Sequence, residues 1–512
     1  MSTMLSVIRS KKILFAILVL GFSLRLVLAG TVPGDSNLNQ DEAFAAYEAY
    51  SISTYGMDSH GYHNPVYLTA WGSGMNALET YFMIPFIRIF GLNSFSVRMP
   101  QALMGCITLI FFYLMSVKLF DEKNALWACF VITFSPWHIM MSRWGLESNF
   151  IIGFLTIAVY FLVSADHKKT RIILAAVFMG LTLYCYSAVW IVLPVLVIGI
   201  LVYLVIEHKI NVKEIVIYLL ILSVIAIPLL LFVAVNYGMI QEIRSFISIP
   251  KLSYFRNGEI KFSVDNVKNT FNLLWNQYDG YIWNGTEKFG LFFHFSKVFF
   301  ALGIFSLIKN RSKKTIPVVI WFLAALIHSF SLSANVNRIN ILFVPVACII
   351  GCGINFFLSL IVESSRKQMM AGVLVIYAFS IFFFTQYYFT DYNAVMKDFW
   401  SDGIDEALAA ADELTDGTIH IKNGDVYYPL ILFYEQYPSD IFFETVVYEN
   451  PNAIYLSASS FDGFTMTDFT RELPVSGDVY ICNKNNSLAL SYIEFYGMEQ
   501  RTYGNYIVGV RK

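Results

Sequence analysis

Residues 11–43 read KKILFAILVLGFSLRLVLAGTVPGDSNLNQDEA. Two lysines open the stretch, an apolar run fills 13–29, a polar turn occupies 33–37, and the acids Asp41 and Glu42 follow. The run exceeds the apolar segment of a cleaved leader, about 7–15 residues. It therefore predicts a retained membrane-spanning helix whose basic end faces the cytoplasm. The two acids then stand just beyond the far end of that helix, near the membrane surface.

Ten further apolar runs recur at 99–120, 125–141, 150–164, 172–186, 189–206, 215–235, 289–308, 316–330, 339–361 and 369–389. With the first, they predict an α-helical polytopic membrane protein of about eleven spans. The composition excludes a soluble globular class: 57% of the 512 residues are hydrophobic, only 14% are charged, and the mean hydropathy is +0.58. The aromatic share of 17% suits helix ends placed at headgroup level. Six cysteines, five of them in apolar runs, form neither a disulfide framework nor a CxxC metal motif.

With the N-terminus cytoplasmic, Lys118, Lys123, Lys168, Arg171, Lys209, Lys213, Lys309, Lys314, Arg366 and Lys367 all fall inside as well, as the positive-inside rule requires. Four regions then lie outside: 31–98, a short turn at 142–149, a segment at 236–288, and everything after 390. The reading is a transmembrane catalytic domain over 1–390, with large external segments at 31–98 and 236–288, and a soluble extracytoplasmic α/β domain over 391–512. Within the first external loop, 78–90 is amphipathic and too short to span, which predicts a helix lying in the interface. Beyond 390, helical spacing at 401–414 and β-rich runs at 418–421, 479–482 and 506–510 mark the α/β fold.

Chemistry is sought where ionisable groups gather at the outer face. Asp41 and Glu42 fit either a helix N-terminal acidic pair or a carboxylate base for an acceptor hydroxyl. Adjacent helical positions point about 100° apart, so one of the two faces a given site. Ser135 through Glu147 places His138, Arg143 and Glu147 where two spans meet water, with Arg143 and Glu147 at the spacing of a helix-surface ion pair. Arg98 and Arg338 each open a span at the outer face, as interfacial anchors or as anion ligands. Together these groups suit a phosphate held by guanidinium groups beside a basic carboxylate, in one extracytoplasmic cavity. Tyr62, Trp71, Glu79 and Glu147 are candidates for the sugar pocket. A divalent ion could sit beside the acids, but no ligand set with diagnostic spacing appears, so no cofactor or metal is assigned.

Four segments carry a family likeness: Asp41-Glu42-Ala43 after the first helix, Gly91 to Pro100 with a G-x(6)-R-x-P pattern, Ser135-Pro136-Trp137-His138 with Ser142-Arg143, and Arg338 through Pro345. In this order they resemble the GT-C-type glycosyltransferase family 39, which includes protein O-mannosyltransferases and an aminoarabinose transferase. His63-Asn64-Pro65 departs from the Lys-Pro-Pro many members carry, and Glu147 stands one position before their Asp. The resemblance implies a polyprenyl-phosphate sugar donor, inverting transfer, Asp41 as base and an external globular domain that helps hold the acceptor; to this the residues themselves add Glu42 assisting Asp41, and phosphate binding by Arg98, Arg143 or Arg338 with His138 as a further donor. It implies a protein, polysaccharide or lipid acceptor, a hexosyl or pentosyl group, and a bacterial plasma membrane; nothing points to nucleic acid. The rival readings are a flippase of lipid-linked sugars, which would need charge deep in the helices and usually a two-fold repeat, and a membrane-anchored binding protein.

Overall fold

The computed structural model describes residues 2–255 and 261–511. Each of the eleven apolar runs contains helix, although 289–295 is turn before Ser296–Asn310 begins. Four helices, Ser94–Leu119, Val212–Asn236, Asn340–Leu360 and Glu363–Phe399, are long and apolar enough to cross a membrane among the described residues. Glu147–Val163 and Val192–Ile206 are shorter apolar helices. One expected span is corrected: 125–141 is two helices, Glu122–Phe134 and Pro136–Met141. Pro136 has no N–H to donate into the preceding turn, and the Ser135 side chain caps the new helix by accepting from the His138 N–H.

The chain forms two compact units. One comprises Met1–Ala29, Gln101–Ile227 and Asn257–Tyr388. Its packing turns on glycines that admit backbone against backbone. A Cβ on Gly353 would run into the Phe299 carbonyl, one on Gly303 into the Ile349 carbonyl, and one on Gly351 into the backbone of Ala128. Helices Ser296–Asn310, Phe343–Leu360 and Glu122–Phe134 are thereby drawn together, as small residues allow wherever apolar side chains gain nothing by leaving lipid.

The other unit comprises Gly30–Pro100, Pro228–Arg256 and Phe389–Lys512. Strands β1 (Tyr67–Leu68) and β2 (Met75–Asn76) form a short antiparallel hairpin. Helix Leu78–Phe90 follows and ends at Gly91, whose φ of 79° suits a residue without Cβ. After residue 390 come β3 (Ile419–Ile421), β4 (Val447–Tyr448), β5 (Ala458–Phe461), β6 (Phe464–Thr465), β7 (Val479–Asn483), β8 (Glu499–Tyr503) and β9 (Tyr506–Val510). They make one sheet in the order β4-β5-β6-β3-β7-β9-β8, with β3 parallel to both β6 and β7.

The alternation along β7 explains its central place. Val479 and Ile481 enter a large buried cluster on one face, while Tyr480 and Cys482 enter a smaller one on the other. The large cluster also holds Phe44, Tyr47, Leu68 and Met83, from residues 31–98, beside Ile431, Phe442 and Phe461. Residues more than three hundred positions apart therefore share one core.

Candidate functional site

Helix Gln40–Tyr55 begins with a reciprocal cap. The Asn39 side chain accepts from the Asp41 N–H at 2.8 Å, and the Asn39 N–H donates to Glu42 at 3.2 Å. Glu42 also receives a two-pronged ion pair from Arg98, both contacts at 2.9 Å, with both side chains fully buried. The remaining Arg98 N–H groups donate to the carbonyls of Pro33 (2.7 Å) and Asn37 (2.8 Å), and its guanidinium lies over Trp400. In this structure Arg98 closes the 30–37 turn onto the helix start. The expected phosphate ligand has its donors turned to internal acceptors, and Glu42 is held by the same clasp.

Asp41, one position earlier on the helix, is half-buried and accepts from the Trp71 indole N–H at 3.0 Å. The Trp71 ring stands edge-on to Tyr427 and Tyr428 and tilted against Phe44. The indole N–H thus engages Oδ1 of the carboxylate. Tyr62 is buried, donates its hydroxyl to Glu242 at 2.5 Å, and lies 4.1 Å beneath the Arg244 guanidinium. Glu79 is buried in the first turn of Leu78–Phe90.

Two turns along the same helix face from Asp41 stands Glu48, buried with Asp58. Ser59 donates to Glu48 through its backbone N–H at 2.8 Å and through its hydroxyl. Asp58 accepts from the N–H groups of His60 (3.0 Å) and Tyr62 (2.8 Å). Burial, and then the Asp58 charge, push the Glu48 carboxyl well above the usual range. Burial pushes Asp58 up to about 7 against the pull of those two N–H groups. His60 is held neutral, lowered to about 4 by burial and then by Arg244.

In the other unit, Arg143 is fully buried and donates to the carbonyls of Leu24 (3.1 Å), Arg25 (3.0 Å) and Leu28 (2.8 Å). Leu24 and Arg25 offer two of the last carbonyls of helix Ser2–Leu26 and Leu28 lies just past its end, so the cation closes a helix C-terminus. His138 is buried too, and its Nδ1 accepts from Arg25 at 2.7 Å. The Ser-Pro-Trp-His and Ser-Arg segment thus joins the first helix to the turn at 135–143. Glu147 is half-buried at the start of helix Glu147–Val163, where the helix dipole favours an acid.

Arg338 differs from these two arginines. It is partly exposed and lines a cleft of about 850 Å³ together with Lys297, His294 and a rim of asparagines that includes Asn269, Asn272 and Asn335. Asp279 ties the cleft together by accepting from the Val336 N–H and the Asn284 amide. The expected residues therefore fall into two groups: Asp41, Glu42, Tyr62, Trp71, Glu79 and Arg98 in one unit, and His138, Arg143, Glu147 and Arg338 in the other.

Sequence reasoning passes over Arg25, Glu48, Asp58 and Lys297. Arg25 is a lone cation inside an apolar run, a signal in its own right. Glu48 is seven positions from Asp41, a spacing that puts two acids on one helix face. Asp58 and Lys297 carry no such local mark.

Residues 78–234 match the family model for dolichyl-phosphate-mannose-protein mannosyltransferase. Comparison with curated proteins gives no match. Among solved structures, ArnT from Cupriavidus metallidurans bound to undecaprenyl phosphate is similar with a TM-score of 0.61 and 12% identity over 97% of each chain. Its apo state is similar with a TM-score of 0.57, at the same identity and coverage. The archaeal oligosaccharyltransferase AglB from Archaeoglobus fulgidus, in complex with an inhibitory peptide and a dolichol-phosphate, is similar with a TM-score of 0.50 and 12% identity, over 83% of this chain and 63% of that one. The fold is that of the GT-C glycosyltransferases, and the chain is a membrane protein.

Proposed function

We propose that this chain is a membrane glycosyltransferase that moves a sugar from a polyprenyl-phosphate-linked donor to an acceptor hydroxyl, with inversion. The observation that carries this reading is the GT-C fold along the whole chain, shared over 97% of its length with a protein bound to undecaprenyl phosphate. The match of residues 78–234 to a mannosyltransferase family supports it independently. The reaction belongs at the outer face of the plasma membrane, with the N-terminus cytoplasmic and residues 391–512 outside. The distribution of lysine and arginine among the loops supports that orientation.

Asp41 takes the proton of the acceptor hydroxyl as its oxygen attacks the anomeric carbon. The bond from that carbon to the donor phosphate oxygen breaks, and the lipid phosphate leaves with the electron pair. Trp71 holds the carboxylate in orientation through its indole N–H. Charge growing on the leaving phosphate calls for cationic donors; Arg98 and Arg143 direct theirs to internal carbonyls and Glu42, and Arg338 and Lys297 line a cleft within their own unit. The sugar and the acceptor stay open at this level.

The test is incubation of the reconstituted chain with radiolabelled polyprenyl-phosphate sugars. Label leaving the lipid for a water-soluble or newly glycosylated product supports transfer. Label that crosses the bilayer still joined to its lipid supports a flippase and contradicts the reading.

A further inference from the structure

A second cleft, of about 390 Å³, lies within the unit formed by Gly30–Pro100, Pro228–Arg256 and Phe389–Lys512. That volume is in the range of small-molecule sites, about 300–1,000 Å³. Two cations reach it, Arg244 and Lys251, both exposed. Arg244 is paired with Glu242 at 2.9 Å, which leaves Lys251, with no ion pair among the described residues, as the uncompensated positive charge.

The walls are aromatic. The Tyr62 ring lies under Arg244, and the His60 and Tyr448 rings stack within 6° of parallel. These rings give the cleft a flat, largely apolar wall of the kind that borders a pyranose. A polar signal comes from Thr69: it lines the cleft, is 4% exposed, and its hydroxyl has no hydrogen-bond partner among the described residues. A buried hydroxyl left without a partner is costly unless something polar reaches it. The edge strand beside the cleft, β4, has only two residues, too few for an added peptide strand.

The cleft floor holds a hydrogen-bonded chain. Tyr448 donates its hydroxyl to His60 Nε2 at 3.4 Å, His60 Nδ1–H donates to the Ser59 hydroxyl at 3.0 Å, and that hydroxyl donates to Glu48. The chain fixes His60 as a neutral ring, so it adds a flat face without a third charge.

We propose that this cleft binds the acceptor of the transfer reaction, and that the acceptor is a saccharide carrying an anionic group, phosphate or carboxylate, which Lys251 and Arg244 recognise while Tyr62, His60 and Tyr448 face the ring. The assignment as acceptor site rests on the transferase reading above; binding of an anionic saccharide does not.

The experiment is calorimetric titration of the full chain in nanodiscs with glucose 6-phosphate, glucuronate, methyl glucoside, inorganic phosphate, an oligo-aspartate peptide and undecaprenyl phosphate. Glucose 6-phosphate and glucuronate bind and compete with each other, and methyl glucoside and inorganic phosphate bind about tenfold more weakly, the worth of one charge-assisted hydrogen bond. Lys251→Ala, an exposed change that leaves the fold alone, weakens glucose 6-phosphate by a similar factor, Lys251→Arg restores it, and undecaprenyl phosphate is unaffected. Equal binding of methyl glucoside or of inorganic phosphate overturns the proposal, as does tighter binding of the peptide. Loss of undecaprenyl phosphate binding in Lys251→Ala, with glucose 6-phosphate unchanged, assigns the cleft to the donor and overturns it too. Anionic-saccharide binding by a chain that transfers no sugar from any lipid-linked donor supports the cleft and overturns its acceptor role.

Discussion

Asp41 and Glu42 are neighbours with different surroundings, because adjacent helical positions point about 100° apart. Glu42 caps its own helix and is clasped by buried Arg98, while Asp41 meets Trp71 and is half-buried. Glu42→Ala strands a buried guanidinium, and removing one partner of such a pair costs about 3–5 kcal/mol. The expected result is a lower melting temperature for the detergent-solubilised chain. Unchanged melting with lost activity would instead put Glu42 in the chemistry. Asp58 gives a pH test. Its carboxyl rises from an ordinary 3.8 to about 7 in the fold, so between these values the folded chain holds a proton that the unfolded chain has lost. Stability therefore falls as pH rises from about 4 to about 7, and Glu48 acts in the same direction. Asp58→Asn removes its share of that slope in melting curves taken across the range; a slope identical to the parent's would show that Asp58 ionises freely.

The elements were the most legible part of the sequence. Hydropathy located helix within each of the eleven apolar runs, amphipathic spacing located Leu78–Phe90 at its observed bounds, and β-rich composition located the strand Tyr506–Val510. Those signals are local: each depends on residues within one or two turns. The break at Ser135-Pro136 was also written locally, as a cap followed by a residue without an N–H, but apolar residues on both sides masked it. The pairing of helices is not local. Gly303, Gly351 and Gly353 lie in ordinary apolar runs, and only the facing backbones of Ile349, Ala128 and Phe299 show why a Cβ is excluded there. Gly353→Val is expected to destabilise the helical unit and lower the yield of folded protein. Gly372, with nothing near its Cβ position, provides the control, and Gly372→Ala leaves the yield unchanged. Equal yields from both variants would remove backbone contact as the source of packing.

At the scale of the whole molecule, the sequence showed the membrane class and a change of composition near residue 390, but not which distant segments share a core. Phe44 and Tyr47 pack in one cluster with Ile431 and Phe461 because residues 31–98 and the C-terminal sheet bury apolar surface together, and such pairing leaves no periodic trace. The candidate site was legible in the same measure. Asp41 stands out beside a polar turn after an apolar run, whereas the cation-bearing clefts around Arg338 and Lys251 are assembled from segments far apart in the chain. Arg98 and Arg143 have the charge of phosphate ligands, yet their surroundings use it to close turns and a helix end. What joins these observations into an enzyme is a carboxylate that accepts a proton while a lipid phosphate departs. The most direct measurement is the rate at which the reconstituted chain releases free polyprenyl phosphate from a labelled polyprenyl-phosphate sugar in the presence of acceptor, for the parent and for Asp41→Asn. Loss of a general base predicts a fall of about 10²–10⁴-fold with melting temperature unchanged; release by Asp41→Asn within a few-fold of the parent would contradict the account.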